Sequence, residues 1–224
     1  TYVVENLDLE NGVAQVRQEE VDYYTKGLRT STSEIISQEE TIERDGVTVA
    51  TGRVRITESF IGYQTMYYNR AISVDPLDLP PYTYETDGLW IILPAVIQNV
   101  APEALAGGLH GAEHALIAMA PLLVLCDQED IGGVSTPFHQ QTAAPTILIY
   151  DEMEGGAGLS EVLFSAIARL AQRAERLVAD CPCENGCPAC IYSPNCGSQN
   201  RPLDKSATIE ILRFIAVRLA RIEA

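Results

Sequence analysis

The stretch Cys181-Pro182-Cys183-Glu184-Asn185-Gly186-Cys187-Pro188-Ala189-Cys190-Ile191-Tyr192-Ser193-Pro194-Asn195-Cys196-Gly197 holds five of the six cysteines of this 224-residue chain. Thiols packed this densely mark a metal cage rather than a disulfide framework, whose cysteines are spread along the sequence. Zinc needs four ligands and the stretch offers five. Cys187-x-x-Cys190 is a chelating turn stiffened by Pro188, with Cys183 before it and Cys196 after it in easy reach of the same ion. Cys181 and Cys183 alternate, so in an extended segment their side chains point oppositely. The spacing therefore favours Cys183, Cys187, Cys190 and Cys196 as ligands, with Cys181 as the alternative. Gly186 and Gly197 supply turns that bring backbone N–H groups toward the thiolates. Four thiolates fill a zinc shell and leave no place for water, so the expected site is closed and structural, with no catalytic residue. Four cysteines alone leave an iron–sulfur cluster or a disulfide knot as alternatives. Cys126, on an apolar run, reads as a small buried hydrophobe.

Working outward, the knuckle is flanked by two amphipathic patterns. Leu163, Ile167, Leu170, Ala174 and Leu177 predict one long helix over 159–179, and Ile209, Leu212, Ile215, Ala216 and Leu219 predict another over 204–222. A buried strand at 146–150 precedes the first, through an acidic glycine turn at 151–158. Residues 127–144, rich in Gly, Thr and Gln, read as a loop with short structure. Leu105, Leu109, Ala112, Leu116 and Met119 predict a helix opened by Pro102 and ended or kinked at Pro121. Before that the chain is strand-like, at 2–5, 13–16, 34–36, 47–49 and 53–57, with hairpin chemistry at Asn11-Gly12 and Asp45-Gly46. The expected class is α+β: an antiparallel β-rich part over 1–85, then a mixed α/β part over 86–224 in which a four-cysteine zinc knuckle joins two long helices.

The chain carries 31 acidic against 15 basic residues, a formal charge of −16, and has no Lys or Arg between Arg70 and Arg169. Its average field repels phosphate, so any nucleic-acid contact belongs to the basic residues near the end: Arg169, Arg173, Arg176, Arg201, Lys205, Arg213, Arg218 and Arg221. Arg201 and Lys205, beside the cysteines, are the first candidates for a DNA or phosphate contact. The longest apolar run, 116–126, is too short to span a membrane and contains Pro121. Clustered thiolates fit a reducing, cytoplasmic setting. The chain opens at Thr1 already reading as a strand and without a signal-peptide pattern, which suggests a piece of a longer polypeptide.

Two further constellations bear on chemistry. His110-Gly111-Ala112-Glu113-His114 matches the His-x-x-Glu-His pattern of inverted zinc metalloproteases, with both rings on one helix face and Glu113 as the base. Such a centre needs a third ligand, for which Asp127, Asp130, Glu152 or Glu154 are the available acids. The structural alternative has the histidines cross-bracing the helix to residues 127–135. The turn Asp151-Glu152-Met153-Glu154-Gly155-Gly156-Ala157-Gly158 stands where a glycine loop can cradle an anion at a helix start. It matches no phosphate-loop or dinucleotide spacing, and its acids repel phosphate. A tight turn with a carboxylate bonded to the histidines or to backbone N–H groups is the favoured reading.

Taken together, Leu109-His110-Gly111-Ala112-Glu113-His114-Ala115-Leu116, Cys126-Asp127-x-x-Asp130-Ile131-Gly132-Gly133, Ile149-Tyr150-Asp151, the cysteine stretch and Asn200-x-Pro202-Leu203-Asp204-Lys205 resemble one family. It is the zinc-binding C-terminal domain of DEAD/DEAH-box helicases of the mitomycin repair factor A type and their RecQ-like fungal relatives. Val21-Asp22-Tyr23-Tyr24-Thr25 resembles the lead-in to that domain. The resemblance implies a parent ATP-dependent 3′-5′ DNA helicase of DNA repair, with ATP and Mg2+ held only in motor domains before Thr1. This chain would then be a non-catalytic, DNA-flanking, zinc-binding brace for those motors, with no membrane partner and no small-molecule substrate of its own. The four family thiolates carry over to Cys183, Cys187, Cys190 and Cys196, with Cys181 as close a neighbour. The rival readings are a zinc metalloprotease or metal-dependent nuclease centred on His110, His114, Asp127 and Asp151, and a standalone protein-interaction scaffold of a defence system.

Overall fold

A computed structural model describes residues 1–68 and 70–220, which form two compact units: Thr1–Arg29 with Phe60–Leu79, and Thr30–Ser59 with the chain from Pro80 onward. Residues 30–59, grouped with the β-rich part in the sequence, thus pack in the unit that carries the cysteines. In the first unit, β1 (Tyr2–Asp8) and β2 (Val13–Gln18) form an antiparallel hairpin, closed by Gly12 at φ 63° and by Asn11, whose N–H donates to Asp8 Oδ1 at 3.0 Å.

The long strands β3 (Tyr23–Arg44) and β4 (Val47–Tyr67) are joined by Asp45 at φ 45° and Gly46 at φ 86°. Both lie in the left-handed region, the requirement of a tight two-residue hairpin turn. At the far end of β4, Gly62–Tyr67 pairs with β5 (Arg70–Pro76). In the second unit the sheet runs β3-β4-β6-β8-β7, with β6 (Tyr82–Ile92), β7 (Ile131–His139) and β8 (Ala144–Asp151), and its described pairings are antiparallel.

Period-two alternation sorts the strand residues onto two faces. Val47, Val49, Leu89, Ile91, Ile147 and Ile149 face the helices, whereas Ala50, Trp90, Leu148 and Tyr150 point the other way with Val54, Ile56 and Tyr84. Both sets are buried, which is why residues 146–150 are apolar almost without interruption. Each fully buried aliphatic side chain contributes about 1.5–3 kcal/mol.

The helical layer consists of α1 (Leu105–Met119), α2 (Leu159–Ser165), α3 (Ile167–Ala179) and α4 (Lys205–Leu219). Pro102 opens a short 3-10 turn before α1, and Pro121 lies in another that ends it. Asp204 caps α4 by accepting the Ala207 N–H at 2.8 Å. Helices α1 and α4 meet with almost no side chain between them: a methyl at Gly108 would come within 2.7 Å of Ala207 Cβ, and one at Gly111 would overlap Thr208 Oγ1. Thr208 is wholly buried there and donates to Asp204 O at 2.7 Å.

The α+β class and the joining of two helices by the cysteine knuckle stand as expected. Three elements differ. The loop expected at 127–144 contains β7, whose Gly132 and Gly133 accept the Tyr150 ring and the Glu113 side chain where any Cβ would collide. The helix expected over 159–179 divides at Ala166 (φ −107°, ψ 12°), a break that no Pro or Gly announces. The last helix ends at Leu219, and the expected Ile222 lies outside the described residues. Among the described residues no helix is long and apolar enough to cross a membrane.

The close approach of α1 and α4 is directly testable. Gly111→Ala is expected to lower unfolding free energy by about 1–3 kcal/mol through overpacking against Thr208. Urea unfolding of the two proteins, with unchanged m-value, measures it.

Candidate metal centre

Helix α3 ends at Ala179 and the chain leaves it in irregular backbone, so Cys181 and Cys183 turn to the same side instead of alternating as they would in a strand. The Cys187–Cys190 segment then closes on itself: the N–H groups of Cys190 and Ile191 both donate to Cys187 O, at 3.0 and 3.2 Å. The result gathers four sulfurs. Sγ–Sγ distances are 3.6 Å for Cys181–Cys183, 3.5 Å for Cys181–Cys187, 3.5 Å for Cys183–Cys190 and 3.8 Å for Cys187–Cys190.

A tetrahedral zinc with Zn–S bonds of about 2.3 Å places its sulfurs about 3.8 Å apart, close to what is seen. The distances are far beyond a disulfide bond of about 2.05 Å, and no cysteine is bridged. Four sulfurs in one coordination sphere enclose a single ion, not a multi-iron cluster. The backbone N–H groups of Gly186 and Ala189 bond to Cys183 and Cys187, as the turn geometry of the stretch led one to expect. Burial pushes the Cys190 thiol up to about 12, against a bond from the Cys187 backbone. Bonds from Cys190, Cys181, Cys187 and Gly186 outweigh burial at Cys183 and hold it at about 7. Four thiolates side by side thus need a cation, and a divalent ion with this donor set is a zinc site.

The ligand set departs from the expected one in a single member. Cys181 takes the place given to Cys196, which the structure puts elsewhere. Sequence spacing measures reach, and Cys196 is within reach, but direction is set by the loop after Cys190. There Ser193 and Asn200 clasp each other, with Ser193 N–H on Asn200 Oδ1 at 2.8 Å and Asn200 Nδ2 on Ser193 O at 3.0 Å. The loop they close carries Cys196 toward α1.

Lys205 also departs from expectation. It is not a phosphate contact: it is 7% exposed, and its ammonium donates to the carbonyls of Cys181 and Cys183. A cation in the first turn of a helix opposes the helix dipole, so it signals a nearby anion. Here that anion is the formally dianionic zinc–thiolate centre. That placement was the signal in the sequence that a basic-surface reading missed. Arg201 is exposed, as are Arg169, Arg173 and Arg176 along α3.

His110 and His114 do not brace α1 to residues 127–135 as expected. Each ring engages the loop around the knuckle, His110 Nδ1 with Pro202 O at 2.8 Å and His114 Nδ1 with Ile191 O at 2.7 Å. Their partner on the other side is Cys196, with His110 Nε2 at 3.4 Å from its sulfur. Ser198 Oγ and the Asn200 N–H also reach that sulfur, each at 3.2 Å. Burial pushes the Cys196 thiol up, but the bonds from His110, His114, Ser198 and Asn200 prevail and hold it at about 4. At His110 burial lowers the basicity, and Cys196 and Glu113 more than reverse it, so its pKa is raised. Burial pushes the Glu113 carboxyl up, against a bond from Ser135 and the charges of both histidines.

The acids assigned to that centre serve elsewhere. Asp127 and Asp130 form a reciprocal capping box around a short 3-10 turn, with the Asp127 N–H on Asp130 Oδ2 at 2.8 Å. Asp151, wholly buried, accepts the N–H groups of Ala157, Leu159 and Ser160 and the Ser160 hydroxyl, at 2.6 to 3.0 Å. It fills the start of α2 with its own carboxylate, so the glycine turn is a cap and not an anion cradle. A protease-like centre of His110, His114, Asp127 and Asp151 is therefore not assembled. Cys126 is partly buried beside the main core, as a small hydrophobe.

An α+β frame whose third and fourth helices are joined through a four-thiolate zinc knuckle is a structural zinc module. The sequence profile of the MrfA Zn-binding domain matches residues 112–191, a span that contains all four knuckle cysteines and stops short of Cys196. The "Uncharacterized ATP-dependent helicase YprA" of Bacillus subtilis is 29% identical over 194 residues, covering 85% of this chain and 26% of its own length. The "Uncharacterized protein MJ1572.1" of Methanocaldococcus jannaschii is 37% identical over 107 residues, 46% of this chain and 96% of that protein. A crystal structure of the DUF1998 helicase MrfA bound to DNA matches with a TM-score of 0.67 and 27% identity, over 95% of this chain and 28% of that one. The chain belongs to the MrfA zinc-binding domain family. It spans about a quarter of the length of the helicase relatives.

Three outcomes are expected from this geometry. Cys190→Ala should abolish knuckle zinc and destabilise the chain by about 4 kcal/mol or more, because metal binding is part of the folding free energy. Lys205→Met should cost about 2–3 kcal/mol from two unpaired carbonyls yet keep the knuckle zinc, a split read by calorimetry beside metal analysis. Asp151→Ala should cost about 3 kcal/mol and speed hydrogen exchange at Leu159 and Ser160.

Proposed function

We propose that this chain is the non-catalytic accessory domain of an ATP-dependent 3′-5′ DNA helicase of the DEAD/DEAH-box class that acts in DNA repair in the cytoplasm. In this reading ATP and Mg2+ belong to motor domains of the same polypeptide, and the zinc knuckle holds α3 and α4 rigid so that the domain braces those motors beside the DNA. The observation that carries it is the match of nearly the whole chain to an MrfA chain whose crystal structure is bound to DNA. The charge distribution supports a flanking role over an independent one. At −16 the domain repels duplex DNA on average, and the exposed residues Arg169, Arg173, Arg176 and Arg201 are the exceptions through which it would touch phosphate.

A second reading has its own support. MJ1572.1 matches over 96% of its length and 46% of this chain, so a related chain of about half this length exists in that organism. A standalone scaffold that engages its partners in trans fits that fact equally well.

Binding of labelled single-stranded DNA at low salt separates the readings. As a helicase flank, the chain alone should bind weakly, with a salt slope reduced by about one for each of Arg173→Glu and Arg176→Glu. It should hydrolyse no ATP. No binding at low salt, with both variants indistinguishable from wild type, favours the scaffold.

A further inference from the structure

Outside the thiolate knuckle, the described residues contain one more set of metal-type donors drawn together: His110, His114 and Cys196, whose ligand atoms all lie within 4.8 Å of one another. They come from two elements, α1 and the loop clasped by Ser193 and Asn200. Two are buried, with His114 at 7% and Cys196 at 9% exposure, and His110 is half-buried.

The hydrogen bonds around them fix what these atoms present to one another. A carbonyl oxygen can only accept, so the bonds to Pro202 O and Ile191 O require protons on His110 Nδ1 and His114 Nδ1. In the neutral rings both Nε2 atoms are then left as bare lone pairs. His110 Nε2 lies 3.4 Å from the Cys196 sulfur, the His114 side chain also bonds to that sulfur, and the rings lie 4.4 Å apart. Counting the Cys196 thiol, the three atoms hold one proton between them, whether it stays on sulfur or passes to His110 Nε2, and it satisfies one contact. Three electron-pair donors thus converge, two of them buried, with too few hydrogens among them. An imidazole whose remote nitrogen donates to a backbone carbonyl is also the arrangement that orients a metal-ligating histidine. The Asn200 N–H and Ser198 hydroxyl directed at the sulfur, both at 3.2 Å, are what a metal-bound thiolate accepts.

The distances agree. Zinc bonds of about 2.3 Å to sulfur and about 2.0–2.1 Å to nitrogen, at a tetrahedral angle, separate the two donors by about 3.6 Å. The observed separation of His110 Nε2 from Cys196 Sγ is 3.4 Å.

We infer that His110, His114 and Cys196 form a second metal site, for zinc or a divalent transition ion of similar softness. Three protein donors leave the fourth position for water or another small ligand, in contrast to the closed shell of the knuckle. The site ties α1 to the loop that follows the knuckle, so the domain carries two ions with different ligand chemistry. It depends on neither reading of the function of the whole.

The test uses the full 224-residue chain, purified under reducing, metal-free conditions and reconstituted with Zn2+ or Co2+. Wild type is expected to retain two ions after gel filtration, and zinc X-ray absorption should show imidazole nitrogen beside sulfur. Cys196→Ala should retain one, with an all-sulfur shell, and should lose about one fifth of the thiolate-to-cobalt charge transfer, one thiolate of five. His110→Ala, at the least buried ligand, provides the same readout if Cys196→Ala does not fold. One ion per wild-type chain with only sulfur around it overturns the inference. So does a Cys196→Ala or His110→Ala protein that still holds two.

Discussion

The contact on which the second unit depends is the sharing of one divalent cation by the four thiolates of Cys181, Cys183, Cys187 and Cys190. Without a cation these sulfurs, 3.5 to 3.8 Å apart, cannot all ionise, and the segment between α3 and α4 sends Ile191 and Cys190 alone fully into the main core. With the cation, the end of α3 and the start of α4 become fixed points. Lys205 completes the arrangement from the α4 side, because its ammonium lies on the carbonyls of two of the ligands. The start of α4 in turn presents Ala207 and Thr208 to the glycines of α1, so the position of a metal determines how two helices interlock.

Electrostatics in this domain is local. The chain is acidic overall, yet four of its aspartates are engaged as caps: Asp151 at α2, Asp204 at α4, Asp127 with Asp130 around a single turn. The buried cation Lys205 faces the backbone carbonyls of two knuckle cysteines rather than solvent. The exposed arginines of α3 and Arg201 are left as the positive part of the surface near the knuckle. A net charge of −16 therefore describes the far field and not the faces.

The elements legible in the sequence were those fixed by local chemistry. The Asp45-Gly46 turn, the helix between Pro102 and Pro121, the two-faced strand β8 and the thiol cluster each follow from residues adjacent in the chain. What escaped was set by partners distant in sequence. Strand β7 has glycines where a strand pattern expects side chains, and the reason is the Tyr150 ring and Glu113 packed over them. The exchange of Cys196 for Cys181 has the same origin: five cysteines were all within reach of one ion, and the choice was made by the Ser193–Asn200 clasp, which no spacing rule contains. His110 and His114 showed their helical pairing plainly, while their partner lay 82 residues or more along the chain.

The placement of the knuckle between α3 and α4 gives the metal a part in the chronology of synthesis. Strands β3 to β8 and helices α1 to α3 all leave the ribosome before the knuckle cysteines do, and α4 leaves after them. Until then the glycine face of α1 has no partner, and the apolar residues that α4 will cover stand open to water. The four thiols emerge in that interval as well, reduced and not yet enclosed. Capture of an ion at this stage brings α4 back against α1 as soon as it is made. The same contact encloses the thiols and covers the core, so the unit closes only when both the ion and α4 are in hand.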